Sequence, residues 1–201
     1  MKALIAYVLF GLLAYTFFLV AKLPADLAYR HYEAELPVAL SGVSGSLWRG
    51  EAEVAVLTRP SLELRSLAWQ VQPASLLLGR PTLHLVLGEA GEISGQIEAN
   101  ARLDGRLQLQ DTRLHLPASA LRDLDLPVDL AGDLYARINL LSLDMHAPWP
   151  ANPAAIPDIH AQLVWQAAGT LAPMPLDLGQ FVLDLASRET AIRGTLTSPN
   201  G

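Results

Sequence analysis

The sequence predicts a mainly β protein in which a single N-terminal transmembrane helix precedes a curled antiparallel β-sheet. Residues 3–21 carry no charged side chain. Beyond Pro37 the apolar residues recur at every second position, which is typical of half-buried strands. Turn residues separate these segments at short intervals, which favours a meander. Such a sheet has one apolar face that must be covered. We therefore expect the sheet to curl into an open barrel or to fold over itself in a sandwich-like arrangement.

The N-terminal segment reads ALIAYVLFGLLAYTFFLVA over residues 3–21, between Lys2 and Lys22. A helix of that length spans about 28 Å, close to the hydrocarbon thickness of a bilayer. The alternatives are a cleaved signal peptide, with an apolar core of about 7–15 residues, and a buried core helix of about 10–14 residues. We predict an uncleaved signal anchor over residues 1–22 that contacts membrane lipid through residues 3–21. The short N-terminal stub favours a translocated C-terminal domain, although the flanking charges do not decide the orientation.

Residues 23–40 are predicted to form a membrane-proximal linker or a short helical extension that ends at Pro37. Residues 41–201 are predicted to form the β domain. A change of phase at Ser66 predicts a bulge, residues 116–124 a short helix, and the prolines of residues 147–157 a loop. The alternation indicates strands over residues 62–71, 83–87, 93–103, 107–109, 134–140, 159–165, 181–185 and 192–196.

Composition excludes several classes of function. The net charge of −6 and the lack of any run of Lys or Arg argue against nucleic-acid binding. The absence of cysteine excludes disulfides and thiolate metal sites. No metal-binding pair such as HxH or HExxH occurs among the histidines, which are His31, His84, His115, His146 and His160.

Patterns typical of catalysis are also missing from the sequence. The segment GVSGSLW lacks the helix that must follow a nucleophile elbow, and no glycine-rich phosphate loop occurs. The aspartates at positions 123, 125, 129 and 133 are separated by leucines and Pro127, a spacing that does not suit a calcium loop. The sequence therefore predicts no enzyme, no cofactor and no metal site.

Several short motifs occur in a fixed order along the chain. They are Gly45-Ser46-Leu47-Trp48 with Gly50, Leu67-x-Trp69 with Pro73 and residues 76–79, Leu116-Pro117, Leu126-Pro127 with Gly132, and Trp165 with Gly179. In this order they resemble the type II secretion system protein N family, also called general secretion pathway protein N. The resemblance spans nearly the whole chain.

The resemblance implies a single-pass inner-membrane protein of Gram-negative bacteria, with a cytoplasmic N-terminus and a periplasmic β domain. It implies an accessory role in the secretion assembly platform, with other platform proteins as partners and without catalytic residues. Trp48 and Arg49, which lie between glycines, are the candidate partner contact, and the alternative is that Trp48 is a core residue. The final SPNG is a turn signal without a following strand, which indicates a truncated sheet with an unpaired edge.

Two other classes of function stay open at this point. A membrane-anchored periplasmic lipid-binding or lipid-transport protein would also combine an N-terminal helix with a long antiparallel sheet, and it would need an open apolar groove. A periplasmic hydrolase would need a convergent pair of titratable side chains in a cleft.

Overall fold

A computed structural model describes residues 2–33, 36, 38–58, 61–88, 92–102, 104–121, 129–144, 157–172, 174–188 and 191–199. Within these ranges it describes all side chains except those of residues 2–4, 6, 58, 61, 62, 77, 172 and 188. The predicted loop at residues 147–157 lies almost wholly outside the described residues.

The described helices lie at the N-terminus and in the connections of the sheet. They are α1 (Lys2–Ala21), α2 (Ala25–Tyr32), α3 (Pro73–Leu77) and a 3₁₀ helix (Ala118–Leu121). Pro24 precedes α2 with a φ of −63°, which suits the start of a helix. In the part of the chain that is described, no helix is long and apolar enough to cross a membrane. The transmembrane anchor therefore stays a prediction.

The strands that the structure describes form one 11-stranded antiparallel sheet in the order β1-β3-β4-β5-β6-β7-β8-β9-β10-β11, and β2 pairs with β3. The prediction of a mainly β chain with an antiparallel meander is confirmed. The strands are β1 (Val38–Ser41), β2 (Ser44–Gly45), β3 (Arg49–Thr58), β4 (Ser61–Val71), β5 (Thr82–Leu87), β6 (Ser94–Ala101), β7 (Arg106–Pro117), β8 (Asp129–Asp144), β9 (Asp158–Ala172), β10 (Leu176–Arg188) and β11 (Ala191–Thr197).

Three details differ from the sequence prediction. The alternation does not indicate β3, because the side chains that it buries are the small Ala52 and Ala55. The predicted helix at 116–124 is shorter, since β7 continues to Pro117 and only Ala118–Leu121 is a 3₁₀ helix, while residues 122–128 lie outside the described part. The sheet begins with β1 at Val38–Ser41, and the first three residues of this strand fall in the range expected for the linker.

The phase change at Ser66 is present, but the predicted bulge is wrong. Leu64 and Leu67 both pack in the same apolar cluster, and Ser66 between them has a left-handed φ of 64°. The register between β3 and β4 does not shift at this point. On β3, Ala52 and Ala55 are also both buried. The alternation of buried and exposed side chains therefore changes phase in both strands at the same level.

The strands run between two opposite ends of the sheet. The helix end is where β3 and β5 begin and β4 ends, at Arg49, Thr82 and Val71. The far end is the opposite one, where β9 ends at Ala172 and β10 begins at Leu176.

Candidate interaction surfaces

The first surface is the junction at which α1 meets the helix end of the sheet. The Trp48 indole N–H donates to the Val20 carbonyl oxygen over 2.9 Å, and the Leu47 backbone N–H donates to the Leu23 carbonyl oxygen over 2.9 Å. Val20 lies in the last turn of α1, where regular helical hydrogen bonding leaves carbonyl groups unpaired. Trp48 therefore caps α1 and ties it to the start of β3.

Glycines make this junction sterically possible. Gly45 has a φ of 87°, a conformation that residues with a side chain rarely adopt. A Cβ atom at Gly50 would collide with the ring of Trp69. The Trp69 indole N–H in turn donates to the Leu47 carbonyl oxygen over 3.2 Å. The glycines and tryptophans of the sequence motif thus build the connection between helix and sheet.

The two residues predicted to contact a partner have different surroundings. Trp48 is half-buried, and its indole N–H group already donates a hydrogen bond to the Val20 carbonyl oxygen. Arg49 is exposed, and its guanidinium donates to Gln70 Oε1 over 2.9 Å. Contact of either residue with a partner stays a prediction, and Arg49 is the more accessible of the two.

The second surface is the apolar face of the sheet, which is covered in its first half. We call β1 to β7 together with the 3₁₀ helix the closed half. Here Ala55, Leu64, Leu87 and Ile93 form a buried cluster. Partly buried apolar side chains pack against it: Val38, Leu40, Leu57, Leu67, Ile97, Leu114, Leu116 and Ala120. Because Ala120 belongs to the 3₁₀ helix, that helix helps to cover the face.

The same face continues across β8 to β11, which we call the open half. The register places Leu114 and Leu116 of β7 opposite Ala136 and Leu134 of β8. In the open half the face forms a groove of about 360 Å³. Its lining residues are all apolar: Leu134, Leu163, Trp165, Leu178, Phe181, Leu183 and Leu196.

The groove ends at the third surface, the edge strand β11. This strand pairs with β10 on one side, and all of its residues are exposed. Leu196 is 64% exposed, although Leu183, its partner on β10, is half-buried. The apolar face therefore runs to the edge of the described sheet without a strand to cover it.

The fourth surface lies on the polar face, where two arginines stand side by side. Arg113 of β7 is directly opposite Arg137 of β8, and both are exposed. Like charges in this position destabilise a strand pair. Neither arginine has an ion-pair partner among the described residues. A groove of about 250 Å³ lies beside them, lined also by His115, Tyr135 and Gln162.

Cross-strand register also pairs histidines with carboxylates. His115 Nε2 lies 3.0 Å from Asp133 Oδ1, and its ring stacks on Tyr135 at 4.7 Å. His84 and His160 have more distant carboxylate partners. The sequence pattern did not indicate the pairs of His115 and His84 because their members lie on different strands, whereas His160 and Asp158 lie two residues apart on β9.

The histidine pairs do not extend into a metal-binding group in the described part of the chain. No group of three His, Asp or Glu side chains that would hold a metal is present among the described residues. Ser94 is opposite His115 in the register, but no hydrogen bond joins the two in the described chain. Asp123, Asp125 and His146 lie outside the described residues.

Comparison with known proteins gives a consistent result. The family model described as type II secretion system (T2SS), protein N, matches residues 37–201. A protein of Aeromonas hydrophila named type II secretion system protein N is 34% identical over 185 residues, which cover 87% of this chain and 67% of that protein. A protein of Vibrio cholerae serotype O1 with the same name is 27% identical over 177 residues, covering 86% of this chain and 67% of that protein. No solved structure shows a significant match.

Proposed function

Because this chain belongs to the type II secretion system protein N family and is thus a component of that system, we propose that it is an accessory part of the inner-membrane assembly platform. Residues 1–22 anchor it as a single pass with the N-terminus in the cytoplasm. Residues 23–40 connect the anchor to residues 41–201, which present the β domain in the periplasm. Its partners are other platform proteins, and it acts by contact rather than by catalysis.

The proposed anchoring is supported by the character of α1. Its backbone is helical over 20 residues, and residues 3–21 are uncharged. Apart from the half-buried Ala14, the described apolar side chains of α1 are exposed, as Phe10 (74%) and Leu13 (67%) illustrate. Exposed apolar surface of this extent is stable in lipid and unfavourable in water.

The observation that carries the contact role is β11, the edge strand of the described sheet. An edge strand presents unpaired backbone N–H and C=O groups, which form a template for a strand of another chain. A strand added beside β11 would complete the backbone hydrogen bonds and also cover Leu196. The open edge thus offers both directional and apolar interactions to a protein partner.

Site-specific photo-cross-linking in cells tests this role. Ile192 on β11 and Val56 on β3 are both 37% exposed, so they form a matched pair. A cross-linker at position 192 should yield adducts with platform proteins, whereas one at position 56 should not. Adducts at position 56 alone, or release of the protein from membranes by an alkaline carbonate wash, would overturn the proposal.

Trp48 and Arg49 are proposed as a second contact region at the helix end. Arg49 supplies an exposed positive charge beside the capped end of α1. Arg49→Glu should weaken co-purification with platform proteins, while Arg113→Glu on β7, which reverses an exposed charge away from both the junction and the β11 edge, should leave co-purification intact. Equal loss in both variants would argue against a contact at Arg49.

A second candidate function is lipid binding, which the groove of the open half favours. Its apolar lining and its open side suit an acyl chain. Native mass spectrometry of the detergent-purified chain tests this function. A stoichiometric bound lipid that is lost in Leu163→Asp would support lipid carriage, and a lipid-free protein would exclude it.

A further inference from the structure

The connection between β4 and β5 holds leucines in an exposed position. We call residues 73–80 the leucine turn. Leu78 is 79% exposed, more than Phe10 of α1 at 74%, and Leu76 is also exposed. The exposed Arg80 follows two residues after Leu78. Apolar side chains that project this far from a sheet gain free energy when an apolar phase covers them.

The leucine turn has a defined conformation. The Ser75 hydroxyl accepts a hydrogen bond from the Thr82 N–H over 2.9 Å and donates one to the Gln72 carbonyl oxygen over 2.5 Å. The Arg80 N–H donates to the Ser75 carbonyl oxygen over 3.0 Å, and Gly79 has the φ of 68° that commonly ends a helix. The leucines are therefore held outward by a hydrogen-bonded turn.

A short series of hydrogen bonds connects the leucine turn to the end of α1. The Val71 N–H donates to the Trp48 carbonyl oxygen over 2.7 Å, and the Trp48 indole donates to the Val20 carbonyl oxygen over 2.9 Å. Only Gln72 separates Val71 from α3. The leucine turn thus lies at the helix end of the sheet, next to the point where α1 leaves the proposed membrane.

We propose that the leucine turn is a second membrane contact, in which Leu76 and Leu78 enter the bilayer interface and Arg80 meets anionic lipid headgroups. This inference rests on the proposed anchoring of α1. Lys22 follows α1 directly, so positive charge flanks the same interface at both contacts. Two contacts at one end of the sheet fix its orientation to the membrane, and the far end and the β11 edge stay accessible.

Depth-dependent fluorescence quenching tests the inference on the full chain in nanodiscs. The chain has no cysteine, so single cysteines can be labelled with an environment-sensitive fluorophore. The labelled variants are Leu78→Cys, Leu13→Cys in α1, and Met174→Cys, which is 66% exposed at the far end. The lipids are phosphatidylethanolamine and phosphatidylglycerol with a nitroxide-labelled lipid as the quencher.

We expect blue-shifted emission and quenching for the labels at positions 13 and 78, and neither effect at position 174. Quenching at 13 without quenching at 78 overturns the second contact and leaves the anchor standing. No quenching at 13 overturns the anchor itself. Equal quenching at 78 and 174 reveals adsorption of the whole sheet and also overturns the proposed contact.

The contribution of Arg80 to lipid contact is tested by charge reversal. In nanodiscs with phosphatidylglycerol, Arg80→Glu should reduce the quenching at position 78, whereas Arg193→Glu on β11 should not. In nanodiscs of neutral lipid alone, Arg80→Glu should have little effect. Equal loss in both lipid mixtures would contradict recognition of anionic headgroups.

Discussion

The two halves of the sheet share one apolar face but differ in how far that face is covered. In the closed half, a buried cluster around Leu64 and Leu87 and the 3₁₀ helix cover it. In the open half, Ala168 is the one hydrophobic side chain that is buried among the described residues of β8 to β11, and part of the apolar face forms a groove. The alternation of apolar and polar residues thus determines which face of a strand is apolar. Neighbouring elements determine whether that face becomes a core or stays a surface.

The two halves also differ in their connection to the rest of the chain. The junction with α1 belongs to the closed half, through Trp48 and the strands beside it. The edge strand β11 is the strand farthest from β1 in the order of the sheet. The strands that join the sheet to α1 are thus separate from the edge strand β11.

The largest expected effect is on a core residue of the closed half. Leu64→Ala removes a buried side chain and leaves a cavity, so it should lower the free energy of unfolding by about 3 kcal/mol. Leu196→Ala in the open half should change it by less than about 0.5 kcal/mol, because Leu196 is mostly exposed. Urea denaturation of the detergent-solubilised chain, followed by tryptophan fluorescence, measures both. Equal losses would mean that the halves do not differ in packing.

A second prediction compares two glycines. Gly50→Ala should cost about 2 kcal/mol, because its Cβ would collide with the Trp69 ring and displace the junction. Gly194→Ala on β11 should leave stability unchanged or slightly higher, since its Cβ would meet the nearest leucine atoms at 3.4 and 3.5 Å. The same denaturation experiment applies. A larger loss at position 194 would contradict the assignment of the junction as the tightly packed region.

A third prediction concerns the cap of α1. Trp48→Phe removes the indole donor to Val20 and should cost about 1 kcal/mol. Trp165→Phe removes an equivalent bond, the one to the Ala131 carbonyl oxygen, from the open half. Both variants should lose similar stability, but only Trp48→Phe should speed hydrogen exchange at the Leu47 amide. Faster exchange at Leu47 in Trp165→Phe would show that the two halves are not independent.

The smallest expected effect is a gain in stability. Arg137→Glu replaces the repulsion from Arg113 by attraction and should raise the free energy of unfolding by about 0.5 kcal/mol. Arg193→Glu, opposite Ala186 on the edge, should have no measurable effect. A loss of stability in Arg137→Glu would indicate that Arg137 has a favourable interaction in the native protein.

The sequence predicted most strands because alternation and turn residues are local signals. β3 escaped the prediction because its buried residues, Gly50, Ala52 and Ala55, are small and do not keep a period of two along the strand. The pairing of Arg113 with Arg137 and of His115 with Asp133 depends on the register between strands, which a single sequence does not display. Trp48 was singled out by its flanking glycines, but its bond to Val20 joins residues far apart in the chain.

The most direct test of the division into a closed and an open half is hydrogen–deuterium exchange. It is carried out on the full chain in nanodiscs, alone and together with the proposed platform partners. We predict that the amides of β11 exchange much faster than those of β4 in the isolated chain, and that the platform proteins slow exchange most in β11 and to a smaller extent around Arg49. Slow exchange in β11 without partners, or partner protection confined to β3 to β5, would contradict this account.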